Sequence, residues 1–99
     1  MMTKYNVLIT GGLGLIGTFL GKKFAAKKSV KNVICLDHFG KYINPQKKNL
    51  KDYRFLRSQL IGKKLIIERG EAKYYSVLSK IILKYKPKYI IHLAALPLA

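Results

Sequence analysis

Near the amino terminus, Thr10-Gly11-Gly12-Leu13-Gly14-Leu15-Ile16-Gly17 carries the glycine spacing with which a backbone can hold a diphosphate. Gly12, Gly14 and Gly17 satisfy Gly-x-Gly-x-x-Gly, and Gly11, Gly14 and Gly17 satisfy Gly-x-x-Gly-x-x-Gly. Missing Cβ atoms let the chain turn tightly and approach a pyrophosphate, whose charge is met by free N–H groups and the positive end of a helix. A glycine pattern alone is weak evidence; this one is followed, twenty residues after Gly17, by Asp37 at the end of an apolar run. A carboxylate there accepts hydrogen bonds from both hydroxyls of an adenosine ribose and repels a 2′-phosphate, so NAD is expected over NADP. His38 joins the cofactor-binding set as the next residue. With Lys41 it is the basic element near Asp37 that bears on cofactor choice.

Such residues act only if a strand and a helix present them. Tyr5 to Thr10 reads as a short buried strand, and from Gly14 the apolar period lengthens. Ile16, Leu20 and Phe24, at i, i+4 and i+8, predict one face of an amphipathic helix of about four turns. Asn32 to Asp37 is a second strand, apolar enough to be covered on both faces. Gly40 and Pro45 mark a loop, and Gln46 to Leu60 has partly helical spacing. Lys64 to Glu68 is a third strand, closed by Gly70. Tyr74, Tyr75, Leu78, Ile81, Ile82 and Tyr85 share the face of a second strong helix, which Pro87 stops, and their tyrosines are expected in the core. Tyr89 to Leu93 is a fourth strand. Strands alternating with helices predict an α/β fold, a Rossmann-like parallel sheet in the order 3-2-1-4 with flanking helices, half of a doubly wound fold. Strands one and four then flank the crevice where the winding reverses and where such sheets bind ligands.

The remaining composition bounds the partners. Twenty Lys or Arg against four Asp or Glu give a net charge of +16 over 99 residues, a size at which one domain spanning 1–99 is expected. Such a charge suits phosphate binding. Seventeen of the cations, however, are Lys dispersed along the chain, and Arg is the residue that forks onto phosphates and bases. Solvated lysine faces are therefore expected rather than a nucleic-acid site. Hydrophobic residues at 49% exclude a disordered basic tail. The single Cys35 lies in Val33-Ile34-Cys35-Leu36 and is expected to be a buried reduced thiol, consistent with the cytoplasm. No signal-peptide pattern or run of about twenty apolar residues is present, and no metal is expected. His92 could move protons near neutral pH, but its place on a strand is expected of a packed structural residue.

Taken with Val33-Ile34-Cys35-Leu36-Asp37, Gly70-Glu71 and Lys86-Pro87-Lys88-Tyr89-Ile90-Ile91-His92-Leu93-Ala94-Ala95, the glycine turn resembles the extended short-chain dehydrogenase/reductase family. Within it, the likeness is to the NAD-dependent epimerases and dehydratases acting on nucleotide sugars. It covers almost all of this chain but only the first half of such a protein. The resemblance implies that Gly11, Gly12, Leu13, Gly14, Leu15, Ile16 and Gly17 hold the pyrophosphate. It implies further that Gly70 and Glu71 read the adenine, with Glu where the family has Asp. Leu93, Ala94 and Ala95 would line the cofactor near its pyrophosphate and nicotinamide ribose.

The family oxidises a sugar hydroxyl with a Tyr-x-x-x-Lys pair, whose side chains share a helix face. Four residues after Tyr5, Tyr42, Tyr53, Tyr74, Tyr75, Tyr85 and Tyr89 stand Ile9, Gln46, Arg57, Leu78, Ser79, Tyr89 and Leu93, so no such pair occurs and no catalytic residue is assigned. The chain is expected to be the cofactor-binding amino-terminal part of a longer enzyme. A nucleotide-sugar substrate and a homodimer belong to the full-length form. The alternatives are a free-standing nucleotide-binding module without catalysis and, behind it, a basic nucleic-acid binder.

Overall fold

A computed structural model describes residues 3–37 and 59–93. Four strands, β1 (Tyr5–Thr10), β2 (Val30–Asp37), β3 (Leu65–Arg69) and β4 (Tyr89–His92), form one parallel sheet in the order β3-β2-β1-β4. Two helices, α1 (Leu15–Ala25) and α2 (Tyr75–Tyr85), connect β1 to β2 and β3 to β4. The predicted order and topology are those observed. The predicted loop and helix between Gly40 and Ser58 lie outside the described residues, as do His38, Ala94 and Ala95; residues 59–61 are helical.

Alternation along the strands divides the core in two. Val7, Ile9, Val33 and Cys35 project from one face, with Leu20, Phe24 and Ala25 of α1 packed against their cluster. Leu8, Ile34 and Leu36 project from the other and meet Ile81, with Val77, Leu78, Ile82 and Tyr85 of α2 alongside. From Val7 to Thr10 and from Val33 to Asp37 every residue is buried, as continuous apolar runs in central parallel strands require. The outer strands β3 and β4 are only partly covered.

Several expectations are corrected. The first helix has 11 residues, about three turns rather than four. Its sheet-facing residues are not led by Ile16, which is 64% exposed; the buried ones are Gly17, Thr18 and Gly21. A Cβ on Gly21 would stand 2.8 Å from Cδ1 of Ile61, so here the helix packs through an absent side chain, which hydrophobic periodicity does not register. Tyr74 and Tyr75 are 53% and 85% exposed and are not core residues; at the start of α2 the core contacts are made by Ala72 and Val77 on either side of them. Only Tyr85 of that trio packs against the core. The second strand begins two residues earlier than predicted, with a register irregularity between Tyr5 and Asn6; the third is shifted by one and the fourth ends one residue sooner.

Termination of α2 has a specific cause. Lys86 takes φ 46° and ψ 58°, a left-handed cap whose N–H donates to the Ile82 carbonyl at 2.8 Å, one residue before Pro87. Pro87 disfavours a helical conformation at Lys86, and the chain leaves the helix there.

Candidate functional site

The strand carboxyl ends bring together the candidate residues among those described, from Gly11 to Gly17, Asp37, Gly70, Glu71 and Leu93. Thr10 closes β1, and the chain reverses through Gly11, whose φ of 69° is left-handed and suits glycine. The Gly11 N–H donates to the Leu36 carbonyl at 2.7 Å, and the Gly14 N–H to Gly11 at 3.1 Å, so the turn is anchored on β2 and on itself.

Gly12 and Gly17 are glycines for reasons internal to the fold. A Cβ on Gly12 would lie 2.6 Å from both Cβ and Sγ of Cys35. One on Gly17 would lie 2.6 Å from the Gly11 carbonyl oxygen and 2.8 Å from the Gly12 Cα. Gly17 therefore brings α1 against the turn itself. Gly14 differs: its φ of −72° and ψ of 176° are open to any residue, and an added Cβ would meet only the Gly11 oxygen, at 3.3 Å. The fold presses less on Gly14 than on its neighbours.

Gly14 is also the N-cap of α1, and α1 has neither a side-chain cap nor an acid in its first turn. The Thr18 hydroxyl satisfies the Gly14 carbonyl at 2.7 Å instead of capping an N–H. Such an end favours an anion. Leu15 and Ile16, 77% and 64% exposed, flank it.

Asp37 is buried at the end of β2, and its Oδ2 accepts the Leu13 N–H at 3.3 Å. The carboxylate thus stands against the glycine turn. Its backbone carbonyl accepts the Gly70 N–H at 3.1 Å, which brings Gly70-Glu71 to the same rim. A Cβ on Gly70 would lie 2.8 Å from Cγ1 of Val77, so packing of α2 by itself accounts for that glycine. Cys35 lies beneath the turn. Burial, reinforced by the Asp37 charge, pushes its thiol up to about 12, which leaves it protonated and unreactive.

One residue that sequence reasoning passed over is Thr10. Its Oγ1 lies 2.7 Å from Nδ1 of His92 and accepts the Leu93 N–H at 3.0 Å, while the Thr10 carbonyl accepts the same N–H at 3.0 Å. The signal available was a polar residue ending the apolar run Val7-Leu8-Ile9. His92 is exposed, so the expectation of a packed residue is corrected: its place is fixed by a hydrogen bond, not by burial. The pair fastens β4 to β1, next to Leu93, which packs against the core on the α1 side.

Lysines that look dispersed along the chain are gathered in space. Because the strands are parallel, Lys4, Lys27, Lys28, Lys63, Lys64 and Lys88 all precede strand starts at the opposite end of the sheet. The Lys64 ammonium donates to the Lys27 carbonyl at 2.7 Å, and Lys88 lies over the Tyr5 and Tyr89 rings. Asp37, Glu68 and Glu71, the described acids, stand at or near the carboxyl ends. No helix among the described residues is long and apolar enough to cross a membrane, and no group of three His, Cys, Asp or Glu there could hold a metal.

Comparison with known proteins agrees with this geometry. The family model described as NAD dependent epimerase/dehydratase family matches residues 7–98. No curated protein matches at a significant level. Among solved structures, the L-threonine dehydrogenase of Clostridium difficile is 29% identical, with 98% of this chain and 25% of that chain covered and a TM-score of 0.63. The Bordetella bronchiseptica enzyme WbmG, solved in complex with NAD, is 20% identical over 98% of this chain and 27% of its own, at a TM-score of 0.69. A UDP-glucose-4-epimerase from Stenotrophomonas maltophila, solved with NAD and formylated UDP-arabinopyranose, is 17% identical over 95% and 25%, at 0.65. The chain spans about a quarter of the length of these structures.

Proposed function

The chain belongs to the NAD-dependent epimerase/dehydratase family, and from that premise we propose that it is the dinucleotide-binding part of an enzyme acting on a nucleotide sugar. One observation carries this reading: an uncapped helix end, a turn anchored on β2 and a buried carboxylate at the end of β2 converge on one rim of the crevice. These groups suit a dinucleotide. The pyrophosphate would lie across Gly11, Gly12, Leu13, Gly14, Leu15, Ile16 and Gly17, with the first N–H groups of α1 facing its charge. Gly14 is the position where the backbone approaches the ligand, since an added Cβ there would meet only the Gly11 oxygen, at 3.3 Å, whereas Gly12 and Gly17 are crowded to 2.6 Å by the fold itself. Asp37 would accept from the adenosine ribose, with His38 beside it; Gly70 and Glu71 would face the adenine; Leu93, Ala94 and Ala95 would line the nicotinamide side.

Bound NAD supplies a hydride acceptor. The residues of this chain bind and orient it, and none is assigned to proton transfer, since no Tyr is followed by Lys at the fourth position. The likeness to an epimerase and to an amino-acid dehydrogenase leaves the substrate's alcohol to be set by residues beyond this set.

Titration calorimetry with NAD tests the reading. Binding is expected for the chain and should be lost in Gly14→Val and sharply weakened in Asp37→Ala; unchanged affinity in both variants refutes the site. Turnover of a nucleotide sugar by the purified 99-residue chain would refute the division of labour.

A further inference from the structure

We infer that the end of the sheet opposite the proposed dinucleotide site is a second binding surface, which holds single-stranded nucleic acid by its phosphates. Five exposed lysines, Lys63, Lys27, Lys28, Lys4 and Lys88, precede the starts of β3, β2, β1 and β4, and the sheet order sets them in a row. Backbone hydrogen bonds fix that row. The Lys64 carbonyl accepts the Val33 N–H, the Ser29 carbonyl accepts the Tyr5 N–H, and the Lys88 N–H donates to the Asn6 carbonyl, each at 2.9 Å. At about 4.8 Å per strand, the row is about 14 Å across. Half-buried Lys64 ties its first members together by donating to the Lys27 carbonyl at 2.7 Å. At the other end the Lys88 ammonium lies 5.0 Å and 5.6 Å from the Tyr5 and Tyr89 ring centroids, and these rings, packed edge to face at 5.4 Å, hold it at the surface.

The described acids stand at or near the other end of the sheet, and the ion pairs of Lys73 with Glu71 and Lys84 with Glu68 involve none of these lysines. Lysines that follow helix ends also complement a helix dipole, a role that shows in stability and not in ligand binding. Ammonium groups in a row suit a chain of phosphates as point charges, without the fork with which Arg reads bases, so binding is independent of base sequence. Adjacent strands rotate by about 20–25°, and over the three steps of this sheet the row turns by about 60–75°. A flexible single strand follows such a row, whereas a duplex, stiff over about 150 bp, meets only part of it. Tyr89, 47% exposed beside Lys88, offers ring surface to an unpaired base.

Fluorescence anisotropy of the 99-residue chain with a labelled oligodeoxythymidine of about 15 nucleotides tests this. Affinity should fall with salt at a log–log slope of about −2 to −3, as for about three to four phosphate contacts. Lys28→Gln combined with Lys88→Gln should weaken binding at least about fivefold and make the slope shallower by about 1.4. Lys73→Gln combined with Lys80→Gln removes the same charge elsewhere and should weaken it by less than about twofold. Circular dichroism and a denaturation midpoint on each variant confirm that these exposed changes leave the fold intact. Equal loss in the two double variants, displacement of the oligonucleotide by NAD, or equal competition by polyglutamate overturns the assignment. So does a duplex of the same length that binds as well as the single strand, or an affinity that does not respond to salt.

Discussion

The two helices cover opposite faces of one sheet by opposite means. α2 packs through large side chains: Ile81 is buried, with Val77, Leu78, Ile82 and Tyr85 around it, while Tyr75 and Leu83 stand exposed. α1 fully buries only two glycines and a threonine, with Leu20, Phe24 and Ala25 partly buried beside them, while Leu15, Ile16 and Phe19 stand exposed. The difference follows from their tasks. α2 has to hold the sheet, and large side chains do that. α1 has to bring its amino end close to the turn after β1, and any side chain at Gly17 would push it away from the Gly11 carbonyl. Closeness at the site is obtained at the expense of apolar burial on that face.

The largest test of this contrast is Gly17→Ala. One methyl against fixed backbone should cost at least about 3 kcal/mol, the upper range of overpacking, in a small domain with little stability to lose. Chemical denaturation should show a collapse of the midpoint; a loss under about 1 kcal/mol would mean that α1 is free to shift. On the other face Ile81→Ala should cost about 2–3 kcal/mol through the cavity it leaves, with NAD affinity of the folded protein unchanged.

Between these lies Gly14→Ala, which separates ligand from fold. Its Cβ meets one oxygen at 3.3 Å, so stability should fall modestly while NAD affinity drops at least about tenfold, or about 1.4 kcal/mol. If stability falls more than affinity, Gly14 serves the fold as Gly17 does.

Lys86→Gly should raise stability by about 1 kcal/mol by relieving a left-handed lysine, with Tm as the readout. The smallest effect is at the clip where Tyr85 and Lys84 of α2 meet Glu68 of β3. The Tyr85 hydrogen bond, with support from Lys84, holds the Glu68 carboxyl below its ordinary range. A depressed carboxylate contributes stability that is present above its unfolded pKa and lost as pH falls through the folded one. Tyr85→Phe should therefore flatten the acid limb of the stability curve and leave pH 7 to 8 nearly flat in both proteins.

Much of the site was legible because it is local. The glycine turn, Asp37 after its apolar strand and the strand order follow from spacing, period and the handedness of crossovers, all properties of short segments. On α1 the predicted face held at Leu20 and Phe24 but not at Ile16, where the close approach is made by Gly17, a contact through an absent side chain that periodicity cannot register. Tyr74 and Tyr75 failed because periodicity does not fix which residues of a helix's first turn meet the sheet; there Ala72 and Val77 make the contact. The choice among glycines was equally hidden: four similar letters in one turn proved to be a left-handed corner at Gly11, two crowded positions at Gly12 and Gly17, and one with room at Gly14.

The sequence by itself determined the α/β class, the glycine spacing of the turn and the lack of a Tyr-x-x-x-Lys pair, because each depends on which residues are neighbours along the chain. Only the tertiary structure decided that Thr10 fastens Leu93 and His92, that Arg69 stands beside Asp37 and that dispersed lysines collect at the strand starts. Those depend on register between strands far apart in sequence, which parallel pairing fixes through hydrogen bonds that no local pattern encodes.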